Sequence, residues 1–131
     1  DAYLYAIERV VLPLIQSFRP DIIIIANGLD ASHVDPLGRM SCLSGTYAQM
    51  TSMIMAAADE HCGGRVVAIH EGGYSEAYVP FCGHRVVEAL AGIESDLVDP
   101  FLPKFLEQQP DAAQVAQQCA GIDAMAARLG L

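Results

Sequence analysis

Apolar residues recur at helical spacing through residues 2–18, AYLYAIERVVLPLIQSF, and predict a helix there. Pro13 sits inside this run. It lacks an N–H and its ring crowds the carbonyl one turn back, so it should kink the helix or start a second segment. Pro20 then ends it. Residues 21–27, DIIIIAN, are apolar on both faces, as expected of a strand in a parallel sheet covered by helices. Residues 28–43 carry Gly28, Pro36 and Gly38 and show no period. They predict a long ordered loop, the kind of segment that usually holds function.

Helical spacing resumes over residues 44–62, with Ser44 as the expected N-cap and Gly63-Gly64 as the stop. Residues 65–70, RVVAIH, predict a second short strand, followed by the loop Glu71-Gly72-Gly73-Tyr74. A helix is predicted over 75–91, ending near Gly92. Pro80 falls in its first turn or marks a short preceding turn. Residues 93–110, with Pro100, Pro103 and Pro110, are expected to be irregular. An Ala/Gln-rich helix over 111–129, starting at Pro110 or Asp111, closes the chain.

Strands alternating with helices predict an α/β layered fold with a parallel sheet. Two strands leave two open edges, which rarely make a complete fold. The chain therefore reads as the end piece of a larger α/β protein, and its opening on Asp1 rather than Met agrees with that expectation.

Composition narrows the function. Hydrophobic residues make up 53% of the 131 and charged residues 18%, which is too apolar for disorder. The net charge of −9 repels a phosphate backbone and excludes a polybasic membrane patch, so neither nucleic acid nor membrane is an expected partner. No apolar run approaches the ~20 residues of a spanning helix, and no signal peptide is recognisable. Cys42, Cys62, Cys82 and Cys119 are widely spaced with no C-x-x-C pair, and read as reduced, partly buried thiols of a cytoplasmic protein.

In open parallel sheets ligands bind beyond the carboxyl ends of the strands. Two loops leave such ends, residues 28–38 and 71–74. With the two strands close together, Asp30 and Tyr74 come within reach of one substrate. A carboxylate at position 30 suits a metal or a base, or bonds to backbone N–H groups of its own loop. Asp35, ahead of Pro36, reads as a turn carboxylate. Gly72 and Gly73 allow close backbone approach to a ligand. Tyr74 offers a phenol to a developing oxyanion, or packs as a loop aromatic. His33 is placed to line a pocket. His61, His70 and His84 read as structural, since no pair has the spacing of a helix-borne metal site. Hydrolase elbows and nucleotide-binding loops are missing from the pattern.

The stretches FRPDIIIIANGLDASHVDPLG and EGGYSEAYVPFCG together resemble the zinc-dependent histone deacetylase family. The likeness is to its class II type and to bacterial deacetylase-like amidohydrolases and acetylpolyamine amidohydrolases. It rests on Phe18, Pro20, the Ile run, Gly28, Asp30, Ala31, Asp35, Pro36, Leu37, Gly38 and Glu71 to Tyr74, and covers residues 2–92 well and the tail weakly. It implies the carboxy-terminal portion of a single deacetylase domain, residues 1–131, with part of the three-layer parallel-sheet fold of the arginase/deacetylase type.

Carried over by position, the resemblance implies that Asp30 is a zinc ligand and that Tyr74 polarises the acetyl carbonyl. Gly72 and Gly73 then line the floor of an acyl-lysine tunnel, with Pro36 and Leu37 at its wall. Tyrosine at 74, where some class II members carry histidine, favours real deacetylase activity. The implied cofactor is Zn²⁺, although an Asp/His/Asp ligand set also admits Fe²⁺. The family's other two ligands, from a D-x-H motif, and its paired general-base histidines are expected upstream of residues 1–131. The chain alone is therefore expected to be inactive and to self-associate through its exposed sheet edge. A non-catalytic interaction module that keeps part of the fold is the alternative. An unrelated flavodoxin-like binding domain is a weaker one, since it would need more strands and a phosphate loop.

Overall fold

The structure, a computed structural model, describes residues 2–38 and 40–131; Asp1, on which the chain opens, lies outside them. The elements are α1 (Ala2–Ala6), a π-helical turn (Ile7–Val11), α2 (Leu12–Phe18), β1 (Ile23–Asn27), α3 (Ser44–Cys62), β2 (Val66–His70), α4 (Val79–Ala91), α5 (Leu102–Glu107) and α6 (Ala112–Arg128).

Pro13 acts as anticipated, and the π turn shows how. The residue one α-turn before the proline is Arg9, inside the π segment, and the wider turn moves that carbonyl off the ring. Leu12 N–H reaches back to the Ile7 carbonyl instead. The helix stops at Arg19, whose φ of 51° puts it in the left-handed region just before Pro20.

β1 and β2 pair in parallel, from Ile23 with Val66 to Asn27 with His70. One face meets helices: Ile7, Val11 and Ile15 line a groove with Ile23, Ile25, Tyr47 and Ile54. On the other face the paired residues Ile24 and Val67 are exposed, as is Ile69.

α3 buries Tyr47, Thr51, Ile54, Ala58 and Cys62, one stripe at intervals of three and four residues. Its N-cap is Leu43 and not Ser44. Ser44 is instead the first helical residue, and its hydroxyl donates to Asp99 Oδ2 at 2.6 Å. α4 starts at Val79, later than the predicted Ser75, because Tyr78 N–H and Val79 N–H both close on the Ser75 carbonyl in a separate turn.

Residues 93–110 are not wholly irregular, since α5 occupies 102–107. Pro103 falls in its first turn, where a missing N–H costs nothing. α5 carries Phe105 into the core, where the Tyr78 ring meets Phe105 and Phe101 edge-on at 5.0 and 5.9 Å. Leu29, Cys42, Leu43, Tyr47, Cys82 and Val86 complete this core. α6 opens at Ala112, one residue later than the expected Pro110 or Asp111, because Asp111 is its N-cap and accepts from Gln114 N–H at 2.8 Å. It is tied to α1 by the Tyr5 hydroxyl donating to Asp123 at 2.8 Å. Among the described residues no helix is long and apolar enough to cross a membrane.

Candidate active site

Parallel pairing in register sends the loops after Asn27 and His70 off the same rim of the sheet. They are then joined. Glu71 N–H donates to the Asn27 carbonyl at 3.2 Å, and Leu29 N–H to the Gly72 carbonyl at 2.7 Å. Leu29 is fully buried and anchors the first loop from below. Gly73 packs against it with φ of 136°, a region that favours glycine.

Asp30 follows, half-buried on the rim. Its carboxylate occupies the gap between Gly28 and Gly72. A Cβ built on Gly28 would come within 2.7 Å of Oδ1, and one built on Gly72 would overlap Oδ2. The glycines therefore hold open the space in which this carboxylate lies. Gly38 packs in the same way on the Asp30 carbonyl.

The described residues of the long loop are tied to one another by backbone hydrogen bonds. Cys42 N–H donates to the Ala31 carbonyl at 3.0 Å and His33 N–H to the Cys42 carbonyl at 2.9 Å. His33 is engaged by α5: its ring lies 4.8 Å from that of Phe105, and Nε2 is 2.8 Å from Gln108 Oε1.

Asp35 does more than shape its own turn. It is only 7% exposed. Oδ1 accepts the N–H groups of Leu37 and Gly38 at 2.8 Å each, and Oδ2 accepts the N–H of Tyr74 at 2.8 Å. Burial pushes its carboxyl up, but the backbone N–H groups of Gly38, Tyr74, Leu37 and Ser75 outweigh this and hold it below the ordinary value. Only the Leu37 and Gly38 half of this pattern is a turn that sequence can signal. The bond to Tyr74 joins residues 39 positions apart and has no local signature.

Pro36 and Leu37 stand out from the rim, Leu37 at 71% exposure, and the Tyr74 side chain is 54% exposed. The rim thus gathers Asp30, Pro36, Leu37, Gly72, Gly73 and Tyr74 on two joined loops: a carboxylate, a phenol, two exposed apolar side chains and two glycines.

A catalytic zinc takes three protein ligands and an open position. Among the described residues no group of three His, Cys, Asp or Glu is gathered to hold a metal, and Asp30 is one donor. The residues present do not by themselves fit the ion. The sequence does contain one D-x-H triplet, Asp59-Glu60-His61, contrary to the expectation that none lies within residues 1–131. It sits at the end of α3, ahead of β2, whereas the rim lies beyond the far end of that strand. A five-residue strand is about 16 Å long, so this triplet and Asp30 sit at opposite ends of the sheet.

Comparison with known proteins gives a consistent result. The histone deacetylase domain family matches residues 1–90. A histone deacetylase-like amidohydrolase of Pseudomonas aeruginosa is 51% identical over 132 residues, covering 100% of this chain and 34% of that protein. A probable deacetylase of Archaeoglobus fulgidus is 32% identical over 119 residues, covering 88% of this chain and 33% of that one. The chain thus spans about a third of the length of these relatives. Among solved structures, the HDA15 HD domain superposes with a TM-score of 0.71 at 28% identity, over 98% of this chain and 32% of its own. The histone deacetylase Clr3 does so with a TM-score of 0.72 at 28% identity, over 97% and 19%. The α/β architecture is therefore part of the arginase/deacetylase-type fold.

Proposed function

The chain belongs to the histone deacetylase family, and from that premise we propose that it forms the carboxy-terminal portion of one metal-dependent deacetylase domain that hydrolyses acetyl-lysine or a small N-acetylated amine. The observation that carries this reading is the rim itself. The Asp30 carboxylate abuts Gly72, and the exposed Tyr74 phenol follows two residues on.

In the whole protein Asp30 contributes one ligand to Zn²⁺ or Fe²⁺, and the remaining ligands and the general-base histidines come from outside these 131 residues. Tyr74 donates its phenolic hydrogen to the oxygen that gains charge as the amide carbon becomes tetrahedral, an effect typically worth ~3 kcal/mol for one such donor. Pro36 and Leu37 wall the channel that takes the aliphatic stem, and Gly72 and Gly73 let the backbone close on the acyl group. The buried, unbridged Cys42, Cys62 and Cys82 suit a reducing cytoplasm.

The test is a kinetic split. In the whole protein, Tyr74→Phe lowers kcat far more than it changes substrate affinity, and a chelator abolishes turnover. The 131-residue chain alone shows none. Equal loss of kcat and affinity in Tyr74→Phe would argue against the oxyanion role.

A second reading, an interaction module without catalysis, rests on the exposed sheet face of Ile24, Val67 and Ile69. Apolar surface of this kind, beside an open edge, drives self-association. If the whole protein lacked turnover on acetyl-lysine and acetylated polyamines, this reading would replace the first.

A further inference from the structure

We propose that Asp35 is a positioning residue for Tyr74, a carboxylate staple that fixes the peptide plane carrying the phenol to the turn carrying Leu37, so that oxyanion donor and channel wall keep one geometry. This rests on the reading of Tyr74 given above.

Three observations carry it. Among the described residues the hydrogen-bond donors to Asp35 are backbone N–H groups: Leu37 and Gly38 on one oxygen, Tyr74 on the other. Backbone donors cannot rotate away as side chains do, so the carboxylate fixes main-chain position on both loops at once. The acceptor itself is buried, which makes each of these bonds stronger than in water. Finally, the Tyr74 side chain is more than half exposed within this chain, so of what these residues supply, the held backbone does most to place the ring.

The chemistry requires a carboxylate and not merely a polar side chain. An ionised carboxylate is acceptor-only on both oxygens. An asparagine offers one acceptor oxygen and an NH₂ group, which would face N–H donors on one side. Asp35→Asn is nearly isosteric, yet it must leave either the Tyr74 side or the Leu37–Gly38 side without its acceptor. A misplacement of about 1 Å at a reacting group costs on the order of a hundredfold in rate.

The experiment is a double-mutant cycle in the whole protein, with Asp35→Asn, Tyr74→Phe and the pair. Asp35→Asn is expected to lower kcat at least tenfold. Because it acts through the phenol, the pair is expected to be no slower than Tyr74→Phe alone. Losses that multiply, or an unchanged kcat in Asp35→Asn, overturn the proposal. An unchanged kcat in Tyr74→Phe instead overturns the functional reading beneath it. Amide hydrogen exchange supplies a readout independent of activity and of any variant's folding. In the unsubstituted protein the Tyr74 N–H should exchange far more slowly than that of its exposed neighbour Ala77. In Asp35→Asn its protection should fall while that of α3 persists. A Tyr74 amide that exchanges as fast as Ala77 in the unsubstituted protein overturns the staple outright.

Discussion

The carboxylate of Asp30 lies against the backbone of Gly72, so close that a Cβ at position 72 would overlap Oδ2. Glycine at 72 is thus a condition for the carboxylate's position. Gly72→Ala should displace Asp30, and Gly28→Ala, with a contact of 2.7 Å to Oδ1, should do so less. Loss of groups that orient a metal ligand typically costs about 10–100-fold in metal affinity. On the proposal that Asp30 is a metal ligand, the whole protein carrying Gly72→Ala should show a metal affinity lowered on that scale in a competition titration. An affinity equal to that of the unsubstituted protein would mean Asp30 is free to move and is not held by the glycine gap.

Tyr78 is the centre of the core beneath the site. Its ring is fully buried, and its hydroxyl accepts the Ser44 N–H at 3.0 Å. Tyr78→Phe keeps the ring contacts and leaves a buried N–H without that acceptor, which costs about 1–3 kcal/mol. Tyr78→Ala also removes the edge contacts to Phe101 and Phe105 and should cost about 3–5 kcal/mol. Urea unfolding of both variants checks the ordering. Equal losses would mean that the hydroxyl, not the ring, carries the stability.

Much of this architecture is legible in the order of residues. The Ile run, the 44–62 periodicity and the Ala/Gln-rich run over 111–129 each declare an element through contacts only a few residues apart. The pairing of the two strands also follows, because a parallel pair is what apolar strands separated by a helix can form, and with it the shared rim of Asp30 and Tyr74. Long-range partners are not legible. Phe105 reads as part of a proline-rich connection, and it is the distant rings of Tyr78 and His33 that make α5 worth forming. Ser44 looks like a cap until Asp99 takes its hydroxyl. Asp35 looks like a turn residue because the signal for a turn is local and the bond to Tyr74 is not.

The sheet face of Ile24 and Val67 should govern the chain's behaviour in isolation. These residues face each other across the strand pair, and Ile24 is 63% exposed. The isolated chain should form a dimer, a C2 pairing of these faces, in sedimentation equilibrium. Ile24→Lys with Val67→Glu should weaken that association at least tenfold and leave the helical circular dichroism unchanged, because both side chains point away from the core. A monomer at tens of micromolar for the unsubstituted chain, on the scale at which exposed apolar surface associates, would sink the idea.

Glu88 makes the stability of the chain depend on acid. It is buried on α4, where the Ser95 N–H donates to Oε1 at 2.7 Å and Arg85 donates to Oε2 at 2.7 Å. Hydrogen bonding with Ser95 comes first among the causes that pull its carboxyl down, burial opposes them, and the bond and charge of Arg85 add to the pull, leaving it at about 2 against an ordinary 4.5. The folded value lies below the unfolded one, so on acidification the unfolded chain takes up the proton first. Glu88 therefore contributes its full stabilisation above pH 4.5 and loses it progressively as pH falls towards 2. Glu88→Gln has no such proton to take up. Its unfolding midpoint in urea should be lower than that of the unsubstituted chain at pH 7, and the gap between the two should close across this acid range. A gap that stays constant down to pH 2 would mean that the Ser95 and Arg85 bonds do not depend on the charge of Glu88.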